Sequence, residues 1–278
     1  AGLPEHEVAV DTSALQSYRE HIMHVVAQND MLAPEAFACL PSQTQSISLI
    51  EGVIQRFRDA QPKVVIVIGI GGSNLGTQAL YEALVGPYVE ISTDDRPNMF
   101  FLDTIDMEKV DRLYSIIRAQ TSRVTDVVVN IISKSGGTTE TVVNAEMTYQ
   151  KLQVFFGTEI KDQIIVTTDE GSDLWELAGK EGVTLLVIPA SVGGRYSVFS
   201  SVGLFPLGVA GFSIRELLEG AQTVRDTYLS SISQDQAYTS ALALYRHHMH
   251  GMSIHSMFFF SPRLESLGKW YRQLMGES

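Results

Sequence analysis

Two stretches of this chain carry residue types whose spacing suits the binding of a compact anion. Ser133-Lys134-Ser135-Gly136-Gly137-Thr138-Thr139-Glu140-Thr141 brings together hydroxyls, one ammonium and a glycine pair, and Gly69-Ile70-Gly71-Gly72-Ser73-Asn74-Leu75-Gly76 is a glycine-rich run of similar length. Each follows an apolar run of strand character, Val64 to Ile68 and Val127 to Ile132, and each opens a segment of helical periodicity. Both are therefore strand-to-helix turns. Glycines let backbone approach a ligand closely, the unpaired N–H groups of the first helical turn point outward, and the helix dipole places roughly half a positive charge there. Hydroxyls and N–H groups give directional bonds to phosphate oxygens, and Lys134 supplies charge.

Two nucleotide readings of the first turn fail on single residues. A dinucleotide fingerprint needs G-x-G-x-x-G, but Asn74 stands at the third glycine position, and Asp103 lies beyond the ~20 residues at which a ribose acid is expected. A P-loop needs lysine where Thr77 follows Gly76.

The remaining elements must hold these turns in place. From Lys63 onward, strands at 64–69, 98–103, 125–132, 163–168 and 184–188 alternate with helices at 74–85, 106–119, 138–155 and 172–180. Strands that are apolar throughout, such as Val127-Val128-Val129 and Ile164-Ile165-Val166, belong to a parallel sheet covered on both faces. An α/β fold with a doubly wound, five-stranded parallel sheet follows, and ligands of such sheets bind at the carboxyl ends of the strands. Helices are expected at 13–29 and 43–60, capped by Asp11 and Ser42, with apolar positions at Ile47, Leu49, Ile50, Val53, Ile54 and Phe57. After Pro189 come an apolar stretch at 198–210, helices at 213–230 and 235–250, a strand at 253–260, and a helix from Pro262 that runs to Glu277-Ser278 without a stop signal. One strand cannot make a sheet. The expectation is a fragment: a helical segment at 1–44, a complete first domain at 45–195, and at 196–278 a helical connection with the start of a second domain.

Composition narrows the partners. The 278 residues are 45% hydrophobic and 19% charged, as in an ordinary globular protein, and the net charge of −12 argues against nucleic acid or an anionic membrane. The single cysteine, Cys39, rules out an intrachain disulfide and fits a reducing compartment, with the cytoplasm as default. Ala1 to Glu7 lacks the pattern of a secretion signal, and no apolar run approaches the ~20 residues of a membrane span. His247, His248 and His250 lie on a helix without an H-E-x-x-H pattern and read as surface or packing, while His255 reads as a core residue of the strand at 253–260. No metal site is suggested.

Four segments in order, G-I-G-G-S-x-L-G at 69–76, S-K-S-G-G-T-T-E-T at 133–141, V-G-G-R-Y-S at 192–197 and W-Y-R-Q-L-M-G-E-S at 270–278, resemble the signatures of the phosphoglucose isomerase family, which is built on sugar isomerase domains. The resemblance implies interconversion of glucose 6-phosphate and fructose 6-phosphate through a cis-enediol, without a cofactor, in a cytoplasmic homodimer. It places Ser73 and the backbone of Gly72 at a substrate contact and Ser133, Lys134, Ser135 and Thr138 in the phosphate loop. Arg195 becomes the cation beside the reacting carbons, Gln273 a substrate contact, and Glu277 the base. Glu265, in the string Glu265-Ser266-Leu267-Gly268-Lys269, matches less well because it stands at the start of its helix. The family opens the sugar ring with a histidine and a lysine from later segments that have no match here, so binding without turnover is expected of these residues alone. A non-catalytic sugar-phosphate sensor would need only the phosphate loop and would leave Arg195 and Glu277 without a purpose. An isomerase that also accepts mannose 6-phosphate is a second alternative.

Overall fold

The computed structural model describes residues 13–86, 96–230 and 236–278. Asp11 and the first residues of the chain lie outside them. Among the described residues the contacts form two units, one of those within 43–214 and 259–278, the other of those within 13–42 and 215–258.

The first unit is built on the expected sheet. Strands β1 (Val64–Ile68), β2 (Asn98–Leu102), β3 (Val127–Ile132), β4 (Ile164–Thr168) and β5 (Thr184–Val187) are all parallel, in the order β2-β1-β3-β4-β5. Every residue of β1 and β4 is buried, which is why both are uninterrupted runs of β-branched residues. With α1 (Ser13–Gln28) in the other unit, the helices here are α2 (Thr44–Arg58), α3 (Leu75–Val85), α4 (Met107–Gln120), α5 (Thr139–Phe156), α6 (Asp173–Lys180), α7 (Ser201–Val209) and α10 (Glu265–Glu277). Caps fix where some of them start. Asp106 accepts from the N–H groups of Glu108 and Lys109 at 3.0 and 3.1 Å, and Ser172 accepts from that of Trp175 at 3.2 Å. Winding passes from β1 outward to β2 and then crosses back to β3, so β1 and β3 flank the switch point at which open α/β sheets bind ligands. Both glycine turns leave the sheet there.

α7 accounts for the apolar stretch at 198–210. All nine of its residues are buried, as a helix apolar all round must be. It meets α2 through an edge-on contact of Phe57 with Phe205 at 5.8 Å between centroids. α2 buries Ile47, Ile50, Ile54 and Phe57, whereas Leu49 faces solvent.

The second unit holds α1, a short 3-10 turn at Ala36–Ser42, and helices α8 (Ile214–Ser230, from its second residue) and α9 (Gln236–Met249). Arg19 Nε donates to Tyr228 O at 2.6 Å, and Gln222 Nε2 to Pro41 O at 2.6 Å.

Three local expectations are corrected. Ser42 does not cap α2: Gln43 holds the cap position with no side-chain bond, and the Ser42 hydroxyl instead accepts from Arg225 Nη1 at 2.8 Å. Residues 253–260 form no strand, because a strand needs a neighbouring ladder and none lies beside them among the described residues. His255 is consequently exposed rather than core.

Asp126 aligns the two strands that carry the site. Its carboxylate accepts from the N–H groups of Ser122 and Arg123 at 3.0 and 3.1 Å and from Arg123 Nη2 at 2.7 Å, while Lys63 Nζ, at the foot of β1, stands 3.5 Å away. Burial alone would raise its pKa, but these bonds and the Lys63 charge outweigh burial and hold it at about 2. A carboxylate depressed in the folded state stabilises above its unfolded pKa and loses that contribution as pH falls through the folded one. Asp126→Asn should therefore cost about 1–3 kcal/mol at neutral pH, read from urea unfolding, and the gap from the native chain should close as pH falls from about 4 toward 2.

Candidate active site

Glycine geometry builds the first half of the site. After β1 the chain turns through Gly71 at φ +59° into a short 3-10 turn, Gly71–Ser73, and then α3. Gly72 lies against the segment Gly194–Phe199: a Cβ on it would come within 2.5 Å of Arg195 N and closer still to the carbonyl of Gly194. No side chain larger than hydrogen fits there. Ser197 Oγ donates to Gly194 O at 2.7 Å and lies 3.4 Å from Gly72 O, which ties the two turns.

α10 closes over this contact. Trp270 packs against Gly76, and its indole Nε1 donates to Arg195 O at 2.8 Å. Gln273 reaches Gly71, where a Cβ would lie 3.0 Å from its Nε2, and that same nitrogen donates to Glu277 Oε1 at 3.1 Å, the bond that a four-residue helical spacing permits. Glu277 Oε2 stands 4.0 Å from Arg195 Nη1. The Arg195 side chain is 24% exposed and that of Glu277 54%, so the carboxylate faces outward while the guanidinium is largely held. Arg195 Nε donates to Ser278 Oγ at 2.9 Å, Tyr196 OH and Ser278 Oγ are 2.7 Å apart, and the guanidinium lies 4.7 Å from the Tyr196 ring centroid. Glu265 occupies the other end of α10, where it pairs with Lys269 at 3.7 Å.

The second half leaves β3. Gly136, at φ +76°, donates its N–H to Ser133 Oγ at 3.2 Å, and Gly137 donates to Ser135 Oγ at 3.4 Å. Ser133 Oγ and Thr138 Oγ1 are 3.3 Å apart, with Ser133 buried and Ser135 exposed. Thr138 holds the cap position of α5 but makes no side-chain cap bond. The three hydroxyls thus lie together in the turn that leads into α5. Lys134 turns elsewhere: its Nζ donates to Ala190 O at 2.5 Å and Val192 O at 3.0 Å.

The structure gathers Gly72, Arg195, Gln273 and Glu277 at the end of β1, and Ser133, Lys134, Ser135 and Thr138 at the end of its neighbour β3. Ser73 ends the 3-10 turn after β1, its Cβ 2.7 Å from where a Cβ on Gly69 would fall. Sequence reasoning misses Trp270, Tyr196, Ser278 and the loop after β4 as site residues. Burial raises the pKa of Asp169 in that loop, against the pull of Lys134. The only trace of this loop in the sequence is a polar run at a strand end, Thr167 to Ser172. No metal-binding cluster occurs among the described residues.

With this geometry in place, comparison with known proteins decides the family. The family profile of phosphoglucose isomerase matches residues 9–278. The chain belongs to the phosphoglucose isomerase family. The glucose-6-phosphate isomerase of Clostridium novyi is 36% identical over 222 residues, 78% of this chain and 48% of that protein. A hypothetical protein from Thermus thermophilus superposes with a TM-score of 0.81 at 29% identity, over 98% of this chain and 61% of the other. A glucose-6-phosphate isomerase from Chlamydia trachomatis, at 24% identity and a TM-score of 0.69 over 83% of this chain and 43% of its own, shares the fold. The chain spans about half the length of the curated relatives it matches.

The Gly72 contact makes a sharp test. Gly72→Ala should force the turns apart, costing about 1–3 kcal/mol in urea unfolding. Gly137→Ala, which meets nothing within 4 Å, should leave stability within about 0.5 kcal/mol.

Proposed function

We propose that the whole protein interconverts glucose 6-phosphate and fructose 6-phosphate by moving a proton between C2 and C1 through a cis-enediol. The observation that carries this reading is the convergence of Glu277, Gln273 and Arg195 on the Gly71–Gly72 turn. An enediolate needs a base that faces the substrate and a fixed cation for the oxyanion it develops. Glu277 is the exposed carboxylate, and its bond from Gln273 aims it. Arg195 is held by Tyr196, Ser278 and its own backbone bond to Trp270, so it can meet developing charge with little reorganisation. Ser133, Ser135, Thr138 and the backbone of their turn would hold the phosphate, with Ser73 and Gly72 on the sugar side. Side chains carry the proton, so the proposed reaction draws on no cofactor.

The ligand in this reading is a small sugar phosphate rather than a nucleic acid, in keeping with the net charge of −12. No helix among the described residues is long and apolar enough to cross a membrane. A cytoplasmic homodimer, with a place in glycolysis and gluconeogenesis, is the proposed setting of the whole protein.

Two measurements test the assignment in the full-length protein. Glu277→Gln keeps shape and hydrogen bonding but accepts no proton, so substrate should still bind while exchange of the C2 hydrogen in heavy water falls by about 10²–10⁴-fold. Glu265→Gln should exchange at the native rate. Native exchange in Glu277→Gln, assayed with an open-chain analogue alongside, would move the base to another residue. Alanine at Ser135 and Thr138 removes contacts made in ground and transition states alike, so KM should rise while kcat holds, at roughly 0.5–1.5 kcal/mol per neutral bond and more to a charged acceptor. Unchanged affinity for 6-phosphogluconate would displace the phosphate from this turn.

A further inference from the structure

Lys134 sits in the middle of the hydroxyl-rich turn, yet its ammonium is engaged away from the mouth. Nζ donates to Ala190 O at 2.5 Å and to Val192 O at 3.0 Å, which takes up two of its three N–H bonds. Its own carbonyl accepts from Asp169 N and Thr168 Oγ1, each at 3.3 Å. One residue therefore braces three successive strand ends: its backbone the turn after β4, its side chain the segment after β5, from its own place after β3. The two carbonyls it holds stand just before Gly193-Gly194-Arg195, and the turn is closed beyond them by Tyr196 N–H donating to Gly193 O at 2.9 Å. Arg195 is thus only three residues from a carbonyl anchored to the phosphate turn.

We propose that Lys134 is a positioning residue, a strap that fixes the Gly193–Arg195 segment to the 133–138 turn, rather than the cation that binds phosphate. The proposal rests on the reading of that turn as the phosphate site and adds a link from it to Arg195. A cation shared between two carbonyl dipoles in a half-buried place is well satisfied, and drawing it out to a phosphate would leave both carbonyls without their donor. Phosphate binding would then be left to Ser133, Ser135, Thr138 and backbone N–H groups, and the strap would transmit their position to the guanidinium.

Hydrogen exchange and titration separate the two roles. In Lys134→Met, exchange at the amides of Val192 and Tyr196 should quicken by about tenfold or more, because the segment loses its anchor. Affinity for 6-phosphogluconate should change by less than about threefold, and in the full-length protein kcat should fall further than KM rises. Lys134→Arg, which keeps donors for the carbonyls, should recover the slow exchange. A loss of affinity of about tenfold or more in Lys134→Met, with exchange at 192–196 unchanged, would make Lys134 a phosphate ligand and end the proposal. Should Lys134→Met fail to fold, nitrogen NMR of the native chain decides. An ammonium signal that stays protected and unshifted on adding 6-phosphogluconate supports the strap, and one that moves with the ligand refutes it. If the native chain binds no 6-phosphogluconate while exchange at 192–196 still depends on Lys134, the strap stands and the sugar-phosphate reading falls.

Discussion

The backbone contact between Gly72 and Gly194 is the constraint on which the site depends. Two turns from distant parts of the sequence lie so close that a single methyl group on Gly72 would overlap the other backbone. Nothing attractive in glycine itself holds them; the closeness is imposed from outside by Ser197, which donates to Gly194 O, and by α10, which clamps both turns through Trp270 and Gln273. What the contact provides is position. It brings Arg195 to the end of β1, where the sequence alone would leave it more than a hundred residues away from Gly72.

The sheet makes that position reproducible. β1, buried along its whole length, is paired on both sides, with Val64 opposite Asn98 and Val127. Each buried valine or isoleucine contributes about 1.5–3 kcal/mol relative to exposure, so a slip in register would forfeit many such terms at once. Asp126 and Lys63 add a polar lock at the feet of β1 and β3, where the carboxylate is fully satisfied. The opposite ends of those same strands carry the two glycine turns. A rigid frame at one end thus sets the spacing of the two glycine turns at the other, at the switch point of a doubly wound sheet.

Charge is distributed by the same geometry. The chain is acidic overall, yet Arg195 and two helix starts stand at these strand ends, with the Lys134 ammonium turned to the carbonyls of Ala190 and Val192, so the local potential is more positive than the net charge implies. The acids in this region are placed with restraint. Glu277 faces outward and is steadied by Gln273, and Asp169 sits beside Lys134 where burial disfavours its charge.

The sequence by itself determined the sheet and the two turns, because the signals are local: unbroken apolar runs fix buried strands, glycine at a strand end fixes a turn, and four-residue spacing fixes the Gln273–Glu277 bond. It also marked Arg195 and Glu277, though only through a family resemblance, since no spacing joins residues so far apart. Where a local signal could be satisfied by a distant partner, it misled. Ser42 looks like a cap but spends its hydroxyl on Arg225, and residues 253–260 have strand composition but no ladder beside them. Lys134 shows a partner that local sequence leaves open. A lysine between two serines reads as a charge for phosphate, and only the tertiary structure places the carbonyls of Ala190 and Val192 within reach of its ammonium. Hydrogen-bond partners are chosen by proximity in space, and for any group that can reach beyond its own turn the fold alone sets that proximity.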